Sequence, residues 1–168
     1  MNIRLVLGEN NSGKSLYAEQ LAVESGTPRY YFATMVPQTD ENHLRIEKHR
    51  IQRADKGFIT VEEPWNIADV EVEKDAVVLL EDASNLLANG IFQYHKDGLD
   101  TLDQILSLSR KCKTLIVVSI ADLVDEGYDE GTVHYIHELN WLNEQLRMLA
   151  EYVYVMCDGV PVIERRPL

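Results

Sequence analysis

Apolar, β-branched and aromatic residues form nearly continuous runs at 3–7, 29–33, 76–80, 114–119 and 152–156. Continuous rather than alternating runs predict parallel strands covered on both faces, because a half-exposed strand shows a polar residue at every second position. A shorter run at 58–61 predicts a weaker strand. Between the runs, apolar residues recur at helical spacing. Leu16, Leu21 and Val23 do so in 14–24, and Leu102, Ile105 and Leu106, with Ser109, in 99–110. Ile136, Leu139, Leu142, Leu146 and Leu149 continue the pattern in 133–150. A polar helix is predicted over 41–54, behind the capping candidates Thr39 and Asp40. This alternation predicts an α/β fold, a mostly parallel sheet with helices on both faces. The chain end departs from it. Residues 153–157 and 160–163 flank Asp158-Gly159, a two-residue hairpin signal, so the last strand should run antiparallel, with Pro161 on an edge.

The length, 168 residues, predicts a single nucleotide-binding domain over 1–168. No internal repeat or boundary interrupts it, and the least patterned segments are 62–75 and 121–131, both acidic. The reason for expecting a nucleotide lies at the end of the first strand. Gly8, Glu9, Asn10, Asn11, Ser12, Gly13, Lys14 and Ser15 satisfy G-x-x-x-x-G-K-S. Placed between a strand and a helix, such a loop curls so that successive N–H groups and the helix dipole face phosphate oxygens. Lys14 is then expected on the β- and γ-phosphates and the Ser15 hydroxyl on Mg²⁺. The fold class becomes a P-loop NTPase-type sheet ending in an antiparallel hairpin, with ATP or GTP as substrate. The apolar run at 76–80 ends in Glu81-Asp82, an acidic strand end that would meet the magnesium shell on the same rim. The alternative for this pair is a cap on the following helix, by Asp82 or Ser84.

Charge narrows the partners. A net charge of −12 argues against nucleic acid and against anionic membranes, since both are bound through Lys and Arg. Cys112 and Cys157 lack metal-ligand spacing and read as reduced thiols, and no apolar stretch approaches a membrane span, which together predict a soluble cytoplasmic protein. His134 and His137 are compatible with two metal ligands on one helix face, but surface placement is the simpler account. One segment, 43–53, is basic against this background. At about 100° per residue, Arg45, His49 and Arg53 share a helix face that could look toward the triphosphate, flanked by Lys48 and Gln52. The alternative is a solvated face balanced by Glu41 and Glu47.

These fragments, in this order, resemble a known family. They are S-G-K-S-x-x-A-E at 12–19, Tyr31-Phe32-Ala33-Thr34, and R-I-x-x-H-R at 45–50. Leu79-Leu80-Glu81 with Asn89 and Phe92 follows, and N-x-x-L at 143–146 precedes the strand–turn–strand end. The chain resembles the bifunctional adenosylcobinamide kinase/adenosylcobinamide-phosphate guanylyltransferases of cobamide (vitamin B12) biosynthesis. The resemblance implies phosphorylation of the aminopropanol hydroxyl of adenosylcobinamide by a nucleoside triphosphate, then transfer of GMP from GTP through a guanylyl-histidine. It also implies Thr34 at the nucleotide and a homo-oligomer, a trimer. Three positions depart from the family pattern: Asn11 stands where the family has arginine, Ile120-Ala121-Asp122-Leu123 replaces an Asn-Glu-Val-Gly-type segment, and Lys48 occupies the place of the guanylylated histidine, with His49 on the family's next histidine. The resulting expectation is a cobinamide kinase-like phosphotransferase whose guanylyl transfer is lost or reduced. Lys14, Glu81, His49 and Lys48 are its candidate catalytic residues. The alternative is a non-catalytic or regulatory nucleotide-binding relative.

Overall fold

The computed structural model describes residues 2–165, the side chain of Arg165 excepted; Met1 and 166–168, the ends of the expected 1–168 domain, lie outside the described residues. The chain runs β1 (Ile3–Gly8), α1 (Lys14–Ser25), β2 (Arg29–Ala33), α2 (Asp40–Arg53), β3 (Ile59–Glu62) and a 3₁₀ turn at Ile67–Asp69. It continues through β4 (Val77–Glu81), α3 (Ala83–Tyr94), α4 (Gly98–Ser109), β5 (Thr114–Ile120), α5 (Glu130–Leu149), β6 (Tyr152–Cys157) and β7 (Val160–Arg165). The strands form one seven-stranded sheet in the order β3-β2-β4-β5-β1-β6-β7. Every pair is parallel except β6–β7, where Tyr154 faces Ile163 and Met156 faces Pro161 on the edge strand.

Successive strand residues point to opposite faces, and that alternation divides the core. Ile3, Leu5, Leu7, Val78, Leu80, Leu115 and Val117 pack under Leu86, Leu87, Leu102, Ile105, Leu139 and Leu142 of α3, α4 and α5. Val6, Val77, Leu79, Ile116 and Val118 pack under Ala18, Leu21 and Ala22 of α1. The α1 face corrects the periodicity reading. Leu16 and Val23 are exposed, whereas Ala18, Ala22 and the carboxylate residue Glu19 are buried. Small side chains let the helix backbone approach the sheet, and a hydropathy pattern does not register that preference. Helix α2 differs from the others, because Arg53 is its one buried residue.

Parallel pairing brings the strand ends level. Gly8 is in register with Ile120 and Ala33 with Glu81, so the loops after β1, β2, β4 and β5 share one edge of the sheet. No described helix is long and apolar enough to cross a membrane.

Candidate active site

β1 stops at Gly8 because a side chain there has no room: an added Cβ would run into Ser12 Oγ and lie 3.1 Å from Met156 Cβ. Asn11 (φ 62°) and Gly13 (φ 86°) adopt left-handed conformations that curl the loop, with Glu9 and Asn10 exposed at its apex. The β6–β7 turn braces the curl, as Gly159 N–H donates to the Ser12 carbonyl at 3.0 Å. α1 then begins at Lys14 with no side-chain cap. Its first amide N–H groups therefore open into the space above the loop, the arrangement that receives an anion.

Two adjacent α1 residues carry the polar chemistry. Lys14 is buried, and its ammonium donates to the Glu9 carbonyl at 3.1 Å. Burial lowers its pKa, Asp82 and Glu81 pull it back up, and Arg45 lowers it further. The Ser15 hydroxyl donates to Glu81 Oε1 and lies 3.4 Å from His49 Nδ1. Glu81 Oε2 is buried with no hydrogen-bond partner, and so is Ser12 Oγ. Burial pushes the Glu81 carboxyl well above the ordinary carboxylate range, and the neighbouring Asp82 adds to the effect against Lys14. Burial raises Asp82 as well, while the backbone N–H of Asn85, which Asp82 caps at 2.7 Å, pulls it down. The Ser15 hydroxyl and the Glu81 oxygen left without a partner among the described residues are hard oxygen donors that could hold Mg²⁺, with water and phosphate filling its other positions. Among the described residues no group of three or more His, Cys, Asp or Glu could hold a metal by itself, and His137 is instead paired with Asp125 at 2.6 Å.

Helix α2 lies over this pocket and orients the basic residues unequally. His49 is half-buried with its ring toward Ser15, whereas Lys48 and Arg45 are exposed. Burial lowers the His49 pKa to about 4, helped by Arg45, Arg53, Lys48 and Lys14. Its imidazole is therefore neutral near pH 7, with a free ring nitrogen for nucleophilic or acid–base work. Arg45 stays close enough to act electrostatically on Lys14, His49, Glu81 and Asp82. Arg53 is buried, its guanidinium 3.8 Å from the centroid of the Tyr31 ring. The solvated alternative fits the exposed Lys48 and Arg50, and Arg50 pairs with Glu47 at 3.6 Å.

Thr34 sits in the same rim with a different environment. It is fully buried, and its hydroxyl donates to the Glu81 and Asp82 carbonyls at 3.1 and 3.0 Å and accepts from Asp82 N–H at 3.0 Å. With the hydroxyl so occupied, it clamps the end of β4. Asn89 donates to the Thr34 and Pro64 carbonyls, both at 2.8 Å. Asn143 accepts from the Ser119 hydroxyl at 2.6 Å and donates to the Ile120 carbonyl at 2.9 Å. These polar residues staple the loops that hold the site. Segment 121–131 is held back by the Asp125–His137 contact and by Leu123 against the core.

Sequence reasoning gave no role to Glu19 beyond its place in the S-G-K-S-x-x-A-E fragment; it is a residue of α1 buried one helical turn beyond Ser15 and hydrogen-bonded by Gln52 and Lys56. The available signal was its spacing: Ser15 and Glu19 stand four apart, on one helix face.

Comparison with known proteins agrees with this geometry. A family model described as "Cobinamide kinase / cobinamide phosphate guanyltransferase" matches residues 4–163. The chain is also 30% identical over 164 residues to the "Bifunctional adenosylcobalamin biosynthesis protein CobP" of Pseudomonas aeruginosa, covering 94% of each chain. The match spans β1 through β7 and so takes in the phosphate-type loop, the acidic end of β4 and the basic helix together. The chain belongs to the cobinamide kinase / cobinamide phosphate guanyltransferase family.

Proposed function

We propose that this protein phosphorylates adenosylcobinamide, or a closely related corrinoid alcohol, and also transfers GMP to the phosphorylated product through His49. The observation that carries the reading is the convergence of Lys14, Ser15, Glu81 and His49 at one end of the sheet. In the first reaction the acceptor hydroxyl attacks the γ-phosphorus of ATP or GTP and the nucleoside diphosphate leaves. Lys14 neutralises the transferred phosphoryl group, the loop amides orient the triphosphate, and Glu81 takes the hydroxyl proton or holds the metal shell. Mg²⁺, when bound through Ser15 and Glu81, supplies charge neutralisation on the phosphate oxygens.

In the second reaction a nitrogen of His49 attacks the α-phosphorus of GTP, forming a P–N bond and releasing pyrophosphate. A phosphate oxygen of the phosphorylated corrinoid then attacks the same phosphorus, breaks the P–N bond and regenerates the imidazole. Lys48 is exposed, while the neutral His49 ring is half-buried against Ser15 and offers the lone pair this step requires. The place of His49 supports covalent chemistry in this chain despite Lys48 at the position aligned with the family's histidine. The reading has the protein in the cytoplasm, as a homotrimer, with Arg45 and Arg53 beside Lys14 as further cations toward the nucleotide.

The test uses γ-labelled ATP, α-labelled GTP and adenosylcobinamide, with phosphorylated and guanylylated products resolved chromatographically. Both labels should reach the corrinoid, and intact mass should show a GMP adduct mapping to His49. Phosphorylated product alone, with no adduct, would reduce the reading to a kinase; no labelled corrinoid at all would overturn it.

A further inference from the structure

Helix α2 contributes His49, 3.4 Å from the Ser15 hydroxyl, yet no apolar side chain of the helix is fully buried. Leu44 and Ile51 face solvent at 73% and 69% exposure and Ile46 is only half-buried, so the hydrophobic effect contributes little to the rotation of this helix about its axis. Rotation matters here because Lys48 and His49 differ by about 100° on the helix. Turned one way the helix offers the P-loop an imidazole, and turned the other way an ammonium.

Polar contacts with α1 set the angle. Ser15 and Glu19 lie on one face of α1, and His49 and Gln52 on one face of α2, so the two helices meet as rungs of a ladder. One rung is Ser15 with His49, 3.4 Å from hydroxyl to Nδ1. The other is Glu19, whose carboxylate accepts from the Gln52 amide and from the Lys56 ammonium at 3.3 Å. Glu19 is 1% exposed and Lys56 is also half-withdrawn from water. Arg53, buried on the Tyr31 ring, fastens the same last turn from the sheet side, and Arg29 on the Lys56 carbonyl fastens the chain just beyond the helix; the Glu19 rung acts alongside them, from α1. We infer that Glu19 is a positioning residue, acting through Gln52 and Lys56 to hold α2 at the rotation that turns His49, and not Lys48, toward Ser15.

This rests on the reading of His49 as the nucleophile, so the experiment separates the two. Wild type, Glu19→Ala, Glu19→Gln and a Gln52→Ala/Lys56→Ala double variant are compared by hydrogen–deuterium exchange, triphosphate affinity and rate of GMP-adduct formation. The double variant breaks the same rung from the solvent side and keeps the test open if Glu19→Ala fails to fold. Glu19→Ala and the double variant should exchange faster across 40–53 and slow adduct formation by roughly 10²-fold, the scale of a misplaced reacting group. Triphosphate affinity should stay within about twofold, because the loop and Lys14 are untouched. Glu19→Gln keeps the acceptor oxygen and the shape, and should restore most of the rate. A folded Glu19→Ala protein with wild-type exchange in α2 and a wild-type adduct rate overturns the inference. If wild type forms no adduct, the nucleophile reading fails, while the exchange comparison still decides whether Glu19 holds the helix.

Discussion

Replacing Glu81 with glutamine should make the ligand-free protein more stable while disabling it. The side chain keeps its size, and its oxygen can still accept from Ser15, but the charge is gone. In the wild type, Oε2 is buried without a partner and Asp82 stands beside it. The amide leaves a polar atom unpaired there as before, but it removes the cost of a desolvated charge beside Asp82. Part of that gain is offset by the lost attraction to Lys14, leaving a net gain on the order of 1 kcal/mol. In a domain of this size that shifts the melting temperature by about 2–4 °C. The pH dependence has a definite sign. A carboxyl whose folded pKa is raised stabilises the fold fully below its unfolded value and loses that contribution as pH rises through the folded value. The stability advantage of Glu81→Gln should therefore be absent near pH 4 and appear as pH rises toward neutrality. Saturating Mg²⁺ and triphosphate should reverse the ranking. A ligand at 100 times its Kd contributes about 2.7 kcal/mol, and the variant lacks the charged oxygen that shares in that binding. Turnover should fall by roughly 10²-fold or more. Calorimetric melting with and without MgATP, paired with the labelled-product assay, measures both halves. A variant that melts below wild type at pH 7 without ligand, yet turns over normally, would refute the reasoning.

Lys14→Ala should abolish most triphosphate affinity in isothermal calorimetry with the circular dichroism spectrum unchanged; wild-type affinity in the folded variant removes Lys14 from the phosphate site. His49→Asn should form no GMP adduct yet still phosphorylate the corrinoid. Because the His49 pKa is lowered to about 4, the unfolded chain takes up a proton near pH 6.5 that the native ring refuses. Wild type should accordingly lose stability relative to His49→Asn as pH falls from 7 to 5 in urea titrations, and equal slopes would contradict the neutral ring. Asn143→Ala leaves the buried Ser119 hydroxyl and the Ile120 carbonyl without their partner, so urea unfolding should show a loss of about 2–4 kcal/mol. A loss below about 0.5 kcal/mol would mean the loop after β5 is held by other contacts.

Much of this protein was legible in its residues alone. Continuous apolar runs mark strands buried on both faces whatever their order in the sheet, and Asp158-Gly159 marks a hairpin because few other residues accept its backbone angles. The P-loop is equally local: its glycines, Lys14 and Ser15 act within one turn of the chain, so spacing alone predicts their geometry. Rotation about a helix axis is another matter, since it depends on what the helix meets. Periodicity placed Leu16 and Val23 inward, but the sheet selected Ala18 and Ala22, because small residues allow close approach. Thr34 stood next to the candidate site in sequence, and only the pairing of β2 with β4 showed that the Glu81 and Asp82 backbone occupies its hydroxyl. The choice between Lys48 and His49 is the sharpest case. Neighbours in sequence, they point about 100° apart, and α2 has no apolar stripe to reveal its inward face. Polar contacts from residues more than thirty positions away, at Ser15 and Glu19, turn the imidazole inward. Such contacts exist only once the sheet has set α1 and α2 side by side.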